Sequence, residues 1–241
     1  MDKPLLVATR GGIGDQLICN GIINVLSETR KINLVCWDQW EPTLTWLYQD
    51  NDNVQVYPWQ DKLLGPFHER NQINNANRLE SEYLGITTTS VNLKTYYTDP
   101  YKQVGIPAEY MYSKFRLPKN PTYDLEFVEK FKPKNPYVLL NIWDKLANGN
   151  ISNFQNEHVD PNLERVYITP GKTKNLFNWV PIILGASEIH SVPGGPCHVI
   201  DFVYTGRLFY HDARAGTVYN LNNDGNNHKW NIIKYAVKKA Q

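Results

Sequence analysis

Residues 10–28 read RGGIGDQLICNGIINVLSE. Gly11, Gly12 and Gly14 follow directly on the apolar run PLLVATR (4–10). Behind them Leu17, Ile18, Gly21, Ile22, Val25 and Leu26 recur with the spacing of one helix face, which predicts a helix from Asp15 to about Arg30. A strand, a glycine turn and a helix, in that order, open a parallel α/β unit. The glycines allow the tight turn. A helix begun there also turns its first N–H groups and the positive end of its dipole towards an anion or a polar oxygen. Asp15 stands in that first turn, where the dipole favours its ionised form. Two roles fit it: a helix cap, or a base for a hydroxyl nucleophile.

Working outward, KINLVCW (31–37) reads as a second strand, EPTLTWLYQD (41–50) as a short helix with Pro42 in its first turn, and NVQVYPW (53–59) as a third strand. Such alternation predicts a parallel sheet with right-handed crossovers. Further on, HERNQINNANRLESEYLGI (68–86) holds a helix and TTTSVNLK (87–94) a strand, while DPYKQVGIPAEYMYSKF (99–115) holds short helical pieces broken by Pro107. A helix over about 122–132 leads into a Pro-, Lys- and Asn-rich connection, which sets the expected domain boundary: 1–132 and 133–241. The second half alternates again. Strands are expected at 137–143, 165–170, 188–193 and 207–212, and helices at 173–187 (bent at Pro181), from 195, and at 228–240. The fold class is α/β, with two Rossmann-like halves.

The 25 basic and 24 acidic residues of the 241 leave a net charge of +1, so no global field points to nucleic acid or an anionic membrane. A phosphate ligand therefore needs a local site. No apolar run is long enough to span a membrane, and the N-terminus lacks the apolar core of a signal peptide. Cys19, Cys36 and Cys197 are widely spaced in apolar contexts and read as buried free thiols in a reducing compartment, so a cytoplasmic location is expected. No paired C-x-x-C, H-E-x-x-H or G-x-S-x-G motif occurs, so neither a metal nor a serine nucleophile is expected.

The second informative stretch is ILGASEIHSVPGGPCHVIDFV (183–203). A strand ends at Pro193 and a helix starts at once, with Pro196 near its first position. Gly194 and Gly195 let a ligand approach the backbone, and the N–H groups of Cys197 and His198 are suited to a pyrophosphate. The His198 ring can add a hydrogen bond to phosphate or ribose, and Asp201 follows one turn later. Upstream, TPGKTKN (169–175) offers Lys172 and Lys174 to a diphosphate; both also fit a solvated loop. His190 reads as a satisfied interior residue, whereas His211 and Asp212 end a strand, where open α/β sheets bind ligands.

An alternative remains open. Gly12-x-Gly14 supplies two glycines of a dinucleotide fingerprint whose third place is Leu17, and Asp38 follows the second strand. Tyr110 and Lys114 also have the spacing of a short-chain dehydrogenase pair. These favour an NAD(P)-dependent oxidoreductase or epimerase. A nucleotide- or glycan-binding module without turnover is the non-enzymatic reading.

Gly14-Asp15 after a first strand, together with Gly195-Pro196-x-His198 at a late helix start, resembles the heptosyltransferase-like glycosyltransferases, in a short form. The resemblance implies a GT-B fold, with two Rossmann-like domains facing a cleft. It also implies metal-independent, inverting transfer of a sugar from a nucleotide-diphosphate donor to a hydroxyl of a glycan acceptor, with no other cofactor. Asp15 then corresponds to the family's catalytic base, and 194–198 to the turn on the donor diphosphate. The chain departs from the family pattern at Gly194, where a serine or threonine is usual, and over 60–120, which matches no known segment.

Overall fold

The structure is a computed structural model that describes residues 3–9, 12–59, 69–86, 95–144, 149–150, 154, 156–212 and 230–234. It divides into two compact units, Met1–Thr122 and Tyr123–Gln241.

In the first unit the elements run β1 (Leu5–Thr9), α1 (Ile13–Ile18), α2 (Asn20–Ser27), β2 (Ile32–Trp37), α3 (Glu41–Leu47), β3 (Val54–Trp59), α4 (Glu69–Arg78), β4 (Glu82–Ile86), α5 (Asp99–Gln103) and α6 (Tyr110–Ser113). The strands form one sheet in the order β3-β2-β1-β4, and every pair in it is parallel. β1 and β2 are apolar along nearly their whole length because both faces of the sheet are covered. Leu6, Ala8 and Val35 pack with Ala76 of α4 on one face, while Val7 and Leu34 point to the other and are equally buried. Among the described residues β3 pairs only with β2, and as an edge strand it tolerates Pro58, which has no N–H to donate. The helix expected within 68–86 is α4, and EYLGI at the end of that stretch is β4, a strand alongside β1. The expected strand at 87–94 lies outside the described residues.

The single helix expected over 15–30 is interrupted at Cys19, between α1 and α2. The Tyr101 hydroxyl donates to the Ile18 carbonyl at 2.8 Å and also engages the backbone at Gly21 and Ile22. A side chain inserted in the helical ladder is a recognised cause of such a break. The segment carrying Tyr101 lies close against α2. Asn24 Nδ2 donates to the Lys114 carbonyl at 2.8 Å, and a Cβ at Gly21 would collide with the Tyr110 carbonyl and come within 2.6 Å of the Tyr101 hydroxyl.

The second unit runs α7 (Leu125–Phe131), β5 (Tyr137–Asn141), β6 (Trp143–Asp144), β7 (Gly149–Asn150), β8 (Glu164–Tyr167), α8 (Val180–Gly185), β9 (Glu188–Ser191), α9 (Gly195–Val203), β10 (Arg207–Asp212) and β11 (Trp230–Lys234). Five strands form a wholly parallel sheet, β11-β10-β9-β5-β8, beside the two-residue antiparallel pairing of β6 with β7. α7 is counted on the N-terminal side of the expected boundary, yet it packs here. Phe127 and Phe131 meet the Trp179 ring at centroid separations of 5.0 and 5.6 Å, and the Asp124 backbone N–H donates to Asn178 Oδ1 at 3.1 Å. Asp124 also caps α7 by accepting from the Phe127 N–H at 3.0 Å. Pro181 lies in the first turn of α8, which follows a 3₁₀ turn at Leu176–Trp179, so it starts that helix and does not bend it.

The C-terminal segment corrects the helix expected at 228–240, because Trp230–Lys234 is a strand paired in parallel with β10 from Leu208↔Trp230 to Asp212↔Lys234. Trp230 and Ile233 are buried, and that three-residue spacing looks helical when read alone. The open edge of β10 decides the matter, since its unpaired backbone groups accept a strand but not a helix. Among the described residues, no helix is long and apolar enough to cross a membrane. The three cysteines are free and buried, and burial pushes their thiols up, Cys36 to about 12.

The close approach at Gly21 generates a prediction. Gly21→Ala costs about 1–3 kcal/mol through overpacking against the Tyr110 backbone. Thermal unfolding reads this as a Tm lowered by several degrees, and an unchanged Tm would show that the 101–114 segment yields freely.

Candidate functional site

In a wholly parallel open sheet all strand carboxyl ends lie on one edge, and ligands bind where the strand order reverses. In the first unit that switch falls between β1 and β4, and in the second between β5 and β9. α1 follows β1 and α9 follows β9. The two glycine turns therefore sit at the two switch points, one in each unit.

At the first, Gly12 is the N-cap of α1 and Asp15 its third residue. The Asp15 carboxylate turns back, and its Oδ2 accepts from the Gly12 N–H at 2.6 Å. Its Oδ1 accepts from the hydroxyl of Tyr96, a residue distant in sequence. Asp15 is half-buried. A Cβ at Gly12 would meet nothing within 4 Å, so the turn stands open there. Gly14 is helical, and Gly11 lies outside the described residues. Asp15 thus makes the capping contact and keeps a partly exposed carboxylate.

At the second, Gly194 is the N-cap of α9, with φ +151° and ψ 177°, a backbone region closed to side-chain-bearing residues. Pro196 occupies the first turn, where its missing N–H costs nothing. The His198 N–H reaches back to the Gly194 carbonyl at 3.4 Å. Cys197 and His198 are buried, and burial pushes the His198 imidazole down to about 4, which keeps it neutral at physiological pH with one donor and one acceptor nitrogen. Asp201 is buried as well, and its Oδ1 accepts from the Trp230 indole N–H at 2.7 Å, tying α9 to β11. Lys172 and Lys174 are exposed in the loop after β8, beyond Gly171 with φ +75°. That loop lies on the same carboxyl edge as Gly194, two strand positions from β9, or about 10 Å.

Asn141 ends β5 at the same switch point. Its Nδ2 donates to Ser191 Oγ at 2.8 Å and to the Val192 carbonyl at 3.3 Å, clasping the ends of β5 and β9. Sequence reasoning passed over Asn141, whose signal was a lone polar residue closing a buried apolar strand. It also passed over Tyr96, one of 15 tyrosines in the chain, which carried no local signal.

The histidines form a separate buried chain. His211 Nε2 lies 2.8 Å from His190 Nδ1, and His190 Nε2 lies 3.3 Å from Glu188 Oε1. We assign the protons so that His211 donates to His190 and His190 donates to the Glu188 carboxylate. Arg207 faces the other carboxylate oxygen at 3.1 Å, and the Asp160 N–H donates to Oε1 at 3.0 Å. Phe209 stacks on His190 at 4.5 Å and Phe154 lies 4.7 Å from His211. His190 is the satisfied interior residue its strand pattern suggests; His211 is likewise fully buried.

Asp38 and the Tyr110–Lys114 pair of the dehydrogenase alternative have contacts of their own. Asp38 follows β2 in a 3₁₀ turn and accepts from the Gln39 N–H at 2.9 Å. Lys114 pairs with Glu28 at 2.8 Å and lies 5.5 Å from the centre of the Tyr110 ring.

These features define an α/β protein of two Rossmann-type units, each with a glycine turn at its switch point. Among solved structures the chain is similar to a glycosyl transferase family 9 protein from Veillonella parvula DSM 2008, at 12% identity and a TM-score of 0.55, covering 100% of this chain and 89% of that one. It is also matched to the E. coli heptosyltransferase WaaC with ADP-2-deoxy-2-fluoro heptose, at 10% identity and a TM-score of 0.45, over 86% of this chain and 88% of that one. No protein-family model and no curated protein sequence matches the chain. The likeness to the family 9 structure is one of fold, and the fold is GT-B-like.

Two predictions follow from these geometries. Gly194→Ala forces a side chain into a glycine-only conformation at a cost of about 1–3 kcal/mol, read as a lower denaturant midpoint with an unchanged m-value. The second concerns pH. Burial holds His190 down to about 4 and His211 to about 3. Unfolded histidine titrates at about 6.5, so below that pH the unfolded chain binds more protons. Stability is therefore fully present above about pH 6.5 and falls as the pH drops towards 4, at up to about 1.4 kcal/mol per pH unit for each histidine. Urea unfolding at pH 7 and pH 5 should show the loss, and His211→Asn should reduce it.

Proposed function

We propose that the protein is a metal-independent, inverting glycosyltransferase that moves a sugar from a nucleotide-diphosphate donor to a hydroxyl of a glycan acceptor. The observation that carries this reading is the chemical difference between the two switch points. One presents a carboxylate, at Asp15, and the other a nine-residue helix start with a glycine cap, at Gly194. The family 9 likeness of the fold supports the same reading.

In this mechanism the second unit holds the donor. The Cys197 N–H and the dipole of α9 meet the diphosphate, Lys172 and Lys174 add positive charge from the neighbouring loop, and the neutral His198 ring adds a hydrogen bond, the His198 backbone N–H being taken by the Gly194 carbonyl. The first unit receives the acceptor. The acceptor hydroxyl oxygen attacks the anomeric carbon while the bond to the diphosphate oxygen breaks on the opposite face, which inverts the centre. The hydroxyl proton passes to Asp15, and the diphosphate leaves with the bonding pair, stabilised by the helix start.

The test is a thermal-shift screen with UDP, GDP, ADP, CMP, NAD and NADP, each with and without Mg²⁺. A ligand at 100 times its Kd stabilises by about 2.7 kcal/mol, or roughly 5–10 °C for a chain of this size. The expected result is a metal-independent shift with one nucleoside diphosphate. Asp15→Asn should then keep that shift while lowering transfer from the matching nucleotide sugar by about 10²–10⁴-fold. A shift with NAD or NADP alone would overturn the reading in favour of an oxidoreductase; binding with no transfer or donor hydrolysis would leave a binding module.

A further inference from the structure

The Tyr96–Asp15 contact joins two parts of the first unit that sequence keeps far apart. Asp15 is fixed at both oxygens. Gly12 of its own turn donates to Oδ2, and Tyr96 donates to Oδ1. The local contact is the ordinary reach of a third helical residue to its N-cap, and a helix start alone explains it. The long-range contact is made from a turn before α5 that also closes on itself. Thr95 Oγ1 donates to Asp99 Oδ2 at 2.8 Å, and the Asp99 N–H donates to the Thr95 carbonyl at 2.8 Å.

Tyr96 is also held firmly where it is. Its ring meets the buried Tyr97 ring edge-on at 5.7 Å, and the helix that follows is tied to α1 by Tyr101 and the Ile18 carbonyl. The hydroxyl is therefore delivered to the carboxylate by a segment that packs against the very helices that carry Asp15.

We propose that Tyr96 is a positioning residue for Asp15, holding its carboxylate in one orientation for an incoming acceptor hydroxyl. The proposal rests on Asp15 being the base of the proposed transfer. Tyr96 touches no reacting atom; it acts through Asp15. A hydrogen bond to the charged carboxylate favours that form. Among the described residues, the buried Cys19 also feels the Asp15 charge from one turn along the chain.

The experiment follows the Asp15 carboxyl directly, by ¹³C NMR of protein labelled at the aspartate carboxyl carbon, with Asp15 assigned by the signal missing from Asp15→Asn. In Tyr96→Phe the Asp15 titration midpoint is expected to move to higher pH, with thermal unfolding within a few degrees of wild type because the ring is retained. Alongside, release of nucleoside diphosphate from ADP-, GDP- and UDP-glucose, with water as acceptor, is expected to fall about tenfold in Tyr96→Phe at unchanged KM. The acid limb of its pH profile should move with the NMR midpoint. A purely structural tyrosine would lower the melting temperature and leave the Asp15 midpoint in place, which overturns the proposal while Asp15 stands. Wild-type turnover in Asp15→Asn overturns the base assignment, and the positioning role falls with it. Wild-type protein that releases no diphosphate, with the midpoint still shifted, leaves a coupled pair without a catalytic role and likewise overturns the proposal.

Discussion

Among the described residues every strand pairing in the two large sheets is parallel, and this constraint governs the rest of the molecule. A parallel neighbour cannot be reached by a tight hairpin, so the chain must cross the sheet between strands. Each crossing returns the next strand in the same direction, and all carboxyl ends gather on one edge. The loops on that edge are then free to differ in chemistry while the layers beneath stay apolar. In the first unit that edge carries Gly12 and Asp15, and in the second Asn141, Gly194 and the loop with Lys172. The winding of these sheets is what gathers those helix starts and loop side chains on one edge of each unit.

Two buried carboxylates of the second unit are each met by polar partners. Burying a carboxylate costs several kcal/mol unless it is paired, and Glu188 has His190, Arg207 and the Asp160 N–H around it. Asp201 is met by the Trp230 indole. Both carboxylates act as junctions: Glu188 connects β9 to β10 and to the 154–163 region, and Asp201 connects α9 to the last strand. α9 is thereby fixed at its middle.

The segment after β4 shows how one unit gains its shape from a region with little pattern of its own. Tyr101, Tyr110 and Lys114 reach α1 and α2 through backbone carbonyls and the missing side chain of Gly21. None of these contacts needs a particular sequence motif. They need a small residue on the helix and a hydroxyl or carbonyl at the right height. The same packing brings Tyr96 to Asp15.

Local information was enough for much of the architecture. The apolar runs at 4–10, 31–37 and 137–143, the glycines at 12, 14, 194 and 195, and the helical spacing behind them determined the strands, the turns and the α/β class, because burial on both sheet faces and a tight strand-to-helix turn each leave a mark within a few residues. Three features were decided only by tertiary structure. The break at Cys19 comes from a tyrosine hydroxyl more than eighty positions away. The strand at 230–234 comes from the open edge of β10, since Trp230 and Ile233 have a spacing that suits either state. α7 sides with the second unit because Trp179 offers its aromatic face a partner. The Asp15 turn was legible from sequence as a place where a carboxylate meets a helix start, but its second ligand, Tyr96, was not. A long-range hydrogen bond leaves no period or spacing in the chain, and it exists only once packing has brought its two ends together.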